Sequence, residues 1–408
     1  MKKAAFLALP ALLAAAPSFA RTAAIDQLPA AEISVPAPSP ARPAAAAARE
    51  WTIMVYMNGK NDLSDYAYRD LKEMEAVGSN DKIGIVAEYA QLESPVKRYY
   101  VTEDKFSSEA LQSKMVLNVG KADMGDWRHL VDFARWTRAN YPAKRYLLIV
   151  WNHGSGWRGR PSRGISQDDE TGNKITTAQL ARAMKEIGKV DILAYDACLM
   201  QMAEVAYEVR AYADVIVGSE ETAPSDGYPY EHILRKFMEN PAAGPEVFGK
   251  HMANMTAIYY TQRGDKTTQS AIRTSALDGL LKLTDEWAKA AMASPAKAQI
   301  KKAFYQARTY DVPENKDLYD FVTLASQFSG DAALAARTKA LTDYMTGKLV
   351  IFSAATSFGY GNDDKASHGL AVYLPNADFE EPYLDLQWSR DGVWDDLVKS
   401  YNGVEAAK

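Results

Sequence analysis

The single cysteine of the chain, Cys198, and one of its histidines, His153, each follow an apolar run. His153 comes shortly after YLLIVW, and Cys198 comes shortly after VDILAY. Each run is typical of a buried parallel strand, and the carboxyl ends of such strands gather along one edge of a sheet. If the two strands are neighbours, the imidazole and the thiol lie within reach of each other, as cysteine-based acyl transfer requires.

The residues next to this pair suit the same chemistry. We expect Cys198 to open a helix extending to about Tyr212, whose positive N-terminal end would lower the pKa of the thiol. The backbone N–H groups of Gly154 and Cys198 are suited to stabilise a tetrahedral oxyanion. The sequence therefore predicts a nucleophilic thiol, with His153 as its partner in proton transfer.

Acidic and polar residues near the thiol are candidates for substrate binding. Asp196, two residues before Cys198, is suited to bind a basic side chain through charge-assisted hydrogen bonds, and a helix-capping role is the alternative. Ser219, Glu220 and Asp226 lie in the loop SEETAPSDGYPY after the next predicted strand. We expect this loop to form a wall of the same pocket, with Asp226 as its second acid.

Residues 154–159 also match the dinucleotide fingerprint GxGxxG. In a dinucleotide-binding fold this loop runs directly into a helix, whereas here it is followed by RGRPSRGISQDDETGN, which contains Pro161 and lacks helical periodicity. A nicotinamide-dependent oxidoreductase is therefore disfavoured. No GxSxG motif indicates a serine hydrolase, and five scattered histidines with one cysteine have no metal-ligand spacing, so no metal site is predicted.

The first 49 residues carry targeting and linker signals. Residues 1–20 combine a positive start, the apolar run AAFLALPALLAAA and a small-residue cleavage site, which is typical of a signal peptide. Residues 21–49 are rich in alanine and proline and are predicted to be a linker or propeptide. We expect an exported protein, periplasmic or secreted, without a stable membrane anchor after signal removal.

The remaining chain has no sharp internal linker. Short apolar runs alternate with helical patterns, which predicts an α/β fold with a mainly parallel sheet flanked by helices. We assign residues 50–235 to a catalytic core and residues 236–408 to a C-terminal region that extends the sheet and adds helices. The formal charge of −5 and the lack of a basic run argue against nucleic acid as a partner.

A resemblance to a known family rests on four segments: WTIMVYMNGKNDL, LLIVWNHGSGW, DILAYDACLMQMAEVAYE and VGSEETAPSDGYPY. Together they resemble the clostripain family of cysteine peptidases, relatives of caspases, legumains and gingipains. The likeness is close over residues 51–235 and extends thinly to SHGLAVYLP near the C-terminus. It implies a caspase-like three-layer sandwich, a catalytic pair of His153 and Cys198, and cleavage of proteins or peptides after arginine, less often lysine, with Asp196 as the specificity acid.

The same resemblance implies activation by self-cleavage between the histidine and cysteine segments. Four basic residues in that interval are candidate cleavage sites: Arg158, Arg160, Arg163 and Lys174. The predicted chemistry requires no cofactor; calcium dependence occurs in the family, but no calcium-binding loop can be recognised in this sequence. The alternative from a different class is a catalytically silent peptide-binding protein on the same fold, against which the intact His and Cys pair argues.

Overall fold

The computed structural model describes residues 49–157, 164–356 and 367–407. Its strands are β1 (Arg49–Gly59), β2 (Ile83–Gln91), β3 (Val96–Tyr100), β4 (Lys114–Gly120), β5 (Ala143–Trp151), β6 (Ile165–Asp168), β7 (Asn173–Ile175), β8 (Val190–Asp196), β9 (Ala213–Gly218), β10 (Thr268–Arg273), β11 (Asn315–Asp317), β12 (Val350–Ala355) and β13 (Ala371–Tyr373). Its α-helices are α1 (Ser64–Glu75), α2 (Trp127–Asn140), α3 (Thr177–Ile187), α4 (Ala203–Val209), α5 (Tyr230–Glu239), α6 (Pro245–Arg263), α7 (Leu277–Ala293), α8 (Lys297–Gln306), α9 (Leu318–Ser329), α10 (Ala332–Tyr344), α11 (Gln387–Asp391) and α12 (Trp394–Ser400).

A nine-stranded sheet forms the centre of the fold, in the order β12-β10-β9-β8-β5-β1-β2-β3-β4. The five strands from β9 to β2 in this order run parallel to one another. Strands β3 and β4 extend one edge in antiparallel fashion, and β10 and β12 extend the other. The predicted α/β fold with a mainly parallel sheet is therefore confirmed.

Helices cover both faces of the sheet and create two hydrophobic cores. Along β1, Met54 and Tyr56 point into one core, whereas Ile53 and Val55 point into the other. The first core also contains apolar side chains of α2, α3, α4 and α7, and the second contains those of α1, α5 and α6. Because the central strands are buried on both faces, their sequences are continuous apolar runs rather than alternating ones.

The C-terminal part of the chain bonds directly to the segment that carries Cys198. The N–H of Ala371, the first residue of β13, donates to the carbonyl of Gln201 at 3.0 Å. Residues after 235 also supply β10 and β12 to the central sheet, and α5 runs through the predicted boundary at residue 235. The described residues belong to one structural unit.

The segment that follows Cys198 differs from the prediction of a helix beginning there. Helix α4 begins only at Ala203. Leu199 has a positive φ of 63°, and its N–H donates to the carbonyl of Glu221 at 3.1 Å. The N–H of Gln201 donates to Ser219 O at 3.0 Å. Because these donors bond to the loop after β9, the backbone turns at Cys198 and Leu199 and forms no helix before Ala203.

Residues 1–48 lie outside the described residues, so the signal peptide and most of the linker stay predictions. Strand β1 begins at Arg49, the last residue assigned to the linker. Within the described ranges, no helix has both the length and the apolar character needed to cross a bilayer.

Candidate active site

Two neighbouring strands, β5 and β8, bring the predicted catalytic residues to the same edge of the sheet. Their last residues, Trp151 and Asp196, are paired in register. His153 and Cys198 each lie two residues beyond that pair. Both side chains line one pocket with a volume of about 230 Å³, and residues 222–225 and Gly227 of the loop after β9 form another part of its wall. The two strands are neighbours, which is the condition under which the sequence brings the imidazole and the thiol within reach of each other.

The Cys198 thiol is partly buried against that loop. The N–H of Ala223 donates to Sγ at 3.2 Å, and the thiol faces the carbonyl of the same residue at 3.8 Å. Burial raises the pKa of the thiol above its ordinary value, and the negative charges of Asp196, Asp311 and Glu221 raise it further, whereas the Ala223 N–H lowers it. The predicted lowering by a helix N-terminus is wrong, because no helix begins at Cys198.

The His153 ring is half-exposed and bonded to a carboxylate that follows β1. Its Nε2 lies 2.7 Å from Oδ1 of Asp62, a side chain that is 76% exposed. The preceding residue, Asn152, anchors the backbone: its Nδ2 donates to Asn58 O, and its Oδ1 accepts the N–H of Gln167 at 2.8 Å. These two hydrogen bonds hold the backbone next to His153 in place.

Gly154 allows the histidine segment to touch the cysteine segment. A β-carbon at this position would lie 2.4 Å from the carbonyl oxygen of Cys198 and 2.9 Å from the β-carbon of Ala197. Only a residue without a side chain fits there. The close approach brings the main chain of Gly154 beside Cys198, in the region where the sequence predicts the oxyanion to bind.

Asp196 is a buried carboxylate in the pocket lining. Its Oδ2 accepts the N–H of Tyr228 at 3.1 Å and the hydroxyl of Tyr230 at 2.9 Å. Burial raises the pKa of Asp196 to about 6, and these two hydrogen bonds lower it only partly. The alternative role as a helix cap is wrong, because α4 begins at Ala203 with Met202 as its N-cap.

A second buried carboxylate, Asp70, was not among the predicted site residues. It lies on α1 and accepts the indole N–H of Trp151, a pocket residue, at 2.5 Å. Burial and the neighbouring charge of Asp196 raise the pKa of Asp70 well above its ordinary value. The sequence did contain a signal: Asp70 occupies a position on the buried face of α1, with Ala67 and Met74.

Three predicted substrate-binding residues do not line the pocket. Asp226 points toward Arg263, with Oδ2 2.8 Å from Nη2, so its charge is already paired. Ser219 bonds to Thr268 Oγ1 at 3.0 Å, and Glu220 accepts the Tyr310 hydroxyl at 2.8 Å. Both are buried behind the loop that forms the wall, where they support it rather than face a substrate.

The segment after the GxGxxG match is a strand pair rather than a helix. Strands β6 and β7 form an antiparallel ladder, so the helix that a dinucleotide-binding loop requires is missing from residues 164–175. Of the candidate cleavage residues, Arg158, Arg160 and Arg163 lie outside the described residues, and Lys174 lies within β7. Within the described part of the chain, no group of three or more His, Cys, Asp or Glu side chains could hold a metal ion.

Comparison with known proteins identifies the family of this chain. The sequence profile of the Clostripain family matches residues 55–401. The chain belongs to the clostripain family. The clostripain of Hathewaya histolytica is 30% identical over an alignment of 222 residues, and the match covers 45% of this chain and 41% of that relative. The chain therefore matches less than half the length of this curated clostripain.

Solved structures agree with this clostripain-family fold. A secreted C11 cysteine protease from Bacteroides thetaiotaomicron in complex with an irreversible peptide inhibitor aligns with a TM-score of 0.67 at 21% identity, covering 85% of this chain and 99% of that one. An inactive zymogen C11 protease from Parabacteroides distasonis aligns with a TM-score of 0.62, the same identity and the same coverage. The predicted resemblance and the predicted fold class are confirmed.

Proposed function

We propose that this protein is an exported cysteine endopeptidase that cleaves peptide bonds after arginine and, less often, lysine. The observation that carries the proposal is a single pocket lined by Cys198, His153 and Asp196 in a clostripain-family fold. A nucleophile, a group for proton transfer and a buried anion together meet the requirements of such an enzyme.

In the proposed mechanism, the thiol of Cys198 is the nucleophile. Because burial keeps its pKa high, the resting thiol is protonated and passes its proton to His153 as Sγ attacks the scissile carbonyl carbon. The N–H groups of Gly154 and Cys198 stabilise the oxyanion. The C–N bond then breaks, the imidazolium gives its proton to the leaving amine, and water hydrolyses the resulting thioester to release the acid and restore the thiol.

Specificity for a basic side chain follows from the charge of the pocket. Asp196 lines the pocket and is buried, and none of the described lysines or arginines forms an ion pair with it. An arginine side chain of the substrate offers five N–H donors and a permanent positive charge, so it can bind the carboxylate in bidentate fashion. A lysine side chain offers one compact charge, which is consistent with less frequent cleavage after lysine.

Self-cleavage between β5 and β6 is part of the proposal. The interval contains Arg158, Arg160 and Arg163, whose bonds match the proposed specificity. Lys174, beyond that interval, is a poorer site, because it lies within strand β7 and a β-carbon on Gly125 would lie only 2.7 Å from its backbone nitrogen. The relative from Parabacteroides distasonis is described as an inactive zymogen, which is compatible with activation by processing.

Export is also proposed, because residues 1–20 have the pattern of a signal peptide. The relative from Bacteroides thetaiotaomicron is described as secreted. Protein or peptide substrates with basic residues would then be met outside the cytoplasm.

The proposal is tested with purified residues 21–408 and fluorogenic peptides ending in Arg, Lys, Asp or Ala. We expect turnover of the arginine peptide, slower turnover of the lysine peptide, and conversion of the chain into two fragments. The Cys198→Ala variant should be inactive and stay uncut. No turnover of any peptide, even after limited nicking between His153 and Cys198, would instead favour the peptide-binding alternative.

A further inference from the structure

We propose that Asp70 is a second specificity-determining carboxylate, which acts together with Asp196 on the positively charged side chain of the substrate. This inference rests on the proposed function, since it concerns the same pocket. Asp70 belongs to α1, whereas Asp196 is the last residue of β8, and no motif in the sequence marked Asp70.

The two carboxyl groups meet at Gly227. A β-carbon on this glycine would lie 2.9 Å from Oδ2 and 3.0 Å from Oδ1 of Asp196, and 3.2 Å from Oδ2 of Asp70. The oxygens of the two side chains are therefore within about 6 Å of each other, a range in which like charges interact strongly. Gly227 has a φ of 62°, and only a glycine leaves both carboxylates this close to the loop backbone.

The groups around the pair of Asp70 and Asp196 are neutral hydrogen-bond donors or other acids. Asp70 accepts the Trp151 indole N–H, and Asp196 accepts the Tyr228 N–H and the Tyr230 hydroxyl. Glu73 and Asp226 add negative charge nearby. Among the described residues, no lysine or arginine forms an ion pair with either carboxylate, whereas the buried Glu75 of the same helix is paired with Lys72 at 2.7 Å.

A buried pair of acids without a counter-ion is expensive to ionise, because burial and mutual repulsion both disfavour the charge. A guanidinium that enters the pocket supplies the missing positive charge and removes that penalty. A neutral side chain of the same shape does not. Asp70 does not line the pocket. Its negative charge acts on the substrate through the low-dielectric interior, and its carboxylate holds the ring of Trp151. Asp70 therefore contributes to discrimination between charged and neutral substrate side chains.

The test compares two peptide substrates that differ only in having arginine or its neutral isostere citrulline before the scissile bond. Asp70→Asn keeps an oxygen acceptor for Trp151 but removes the charge. We expect the ratio of kcat/KM for arginine over citrulline to fall at least about tenfold, mainly through KM for the arginine peptide. The citrulline value should stay within about twofold of the wild type. Asp65→Asn, an exposed acid on the same helix, is the matched control and should leave both values unchanged.

Two results would overturn the inference while the proposed function survives. The first is an unchanged arginine preference in Asp70→Asn. The second is an equal loss for both peptides with a lowered Tm, which would indicate that Asp70 is only structural. A wild-type enzyme without any preference for arginine over citrulline would reject the proposed specificity itself and this inference with it. A loss of arginine preference in Asp226→Asn but not in Asp70→Asn would assign the second acid to Asp226.

Discussion

Trp151 and Asp196 are paired in register at the ends of two neighbouring parallel strands, and both take part in the hydrogen bonds around the buried acids Asp70 and Asp196. The Trp151 indole donates to Asp70, and the Asp196 carboxylate accepts from Tyr228 and Tyr230. This one strand pairing therefore fixes the candidate specificity acids, and two residues further along it fixes His153 and Cys198.

Substitution of Gly154 by alanine should disable the enzyme. The new β-carbon would meet the carbonyl oxygen of Cys198 at 2.4 Å, so the cysteine segment must move, and small displacements of a nucleophile cost about 100-fold in rate. We expect kcat/KM of Gly154→Ala on the arginine peptide to fall by at least about that factor. Gly244→Ala is the control, because nothing lies within 4 Å of its β-carbon position. Wild-type activity in Gly154→Ala would contradict the close approach of the two segments.

Substitution of Asp62 by asparagine should have only a modest effect. The carboxylate holds His153 Nε2 at 2.7 Å but is 76% exposed, so water can replace it and its charge is screened. We expect kcat to fall by less than about tenfold, measured at saturating arginine peptide. A loss of several hundredfold would show that Asp62 is an essential third member of the catalytic group rather than an orienting contact.

The preference for the arginine peptide over the citrulline peptide should weaken at acidic pH. Burial raises the pKa of Asp196 to about 6, against hydrogen bonds from Tyr228 and Tyr230 and beside the buried Asp70. Above this pH the carboxylate is charged and attracts arginine; below it the group is neutral. The measurement is the ratio of kcat/KM for arginine and citrulline peptides from pH 5 to 8, in which effects of pH on the thiol and imidazole cancel. A ratio independent of pH would contradict a titrating Asp196.

Stability should fall with rising pH because of Glu204, a fully buried residue of α4. Its Oε1 accepts the Tyr373 N–H at 2.8 Å and the Tyr383 hydroxyl at 2.7 Å, yet burial raises its pKa from 4.5 to about 7. A raised pKa in the folded state means that the stability from the neutral form is complete below 4.5 and is lost as the pH rises through 7. Above pH 7 the free energy of unfolding is lower by about 3 kcal/mol than it is below pH 4.5.

Glu204→Gln tests this, because glutamine keeps the acceptor oxygen and cannot ionise. We expect the Tm of the variant relative to the wild type to increase by several degrees between pH 5 and pH 8. Glu103 is exposed, so the Tm difference between Glu103→Gln and the wild type should not change between pH 5 and pH 8. A constant difference for Glu204→Gln as well would mean that this carboxyl does not titrate in the range.

The sequence predicted the sheet, and the placement of His153 and Cys198 at one edge of it, because buried parallel strands have a strong signature. The runs LLIVW and ILAY, which end at Trp151 and Tyr195, are apolar throughout, and parallel pairing brings their ends together independently of the loops. The helix expected at Cys198 was wrong, since the apolar spacing of Leu199 and Met202 fits a helical period equally well. The N–H groups of Leu199 and Gln201 instead donate to the loop after β9, a long-range contact that local periodicity does not encode.

The acidic pocket was predicted only in part for the same reason. Asp196 could be found because it lies two residues before Cys198, whereas Asp226 was chosen by position in a loop and is paired with Arg263 in the structure. Asp70 is distant in sequence and enters the site only through the packing of α1 on the sheet. A charged residue on the buried face of an amphipathic helix was the available signal.

The most direct measurement is the intact mass of the protein after reaction with a peptidyl ketone inhibitor that carries arginine before the reactive carbon. We expect a single covalent adduct, located by peptide mapping on Cys198 and absent in Cys198→Ala. It should form faster than the adduct of a matched inhibitor that carries citrulline in place of arginine. Labelling at another residue, or persistent labelling of Cys198→Ala, would contradict the assignment of the nucleophile. Equal rates for the two reagents would contradict the acidic specificity pocket.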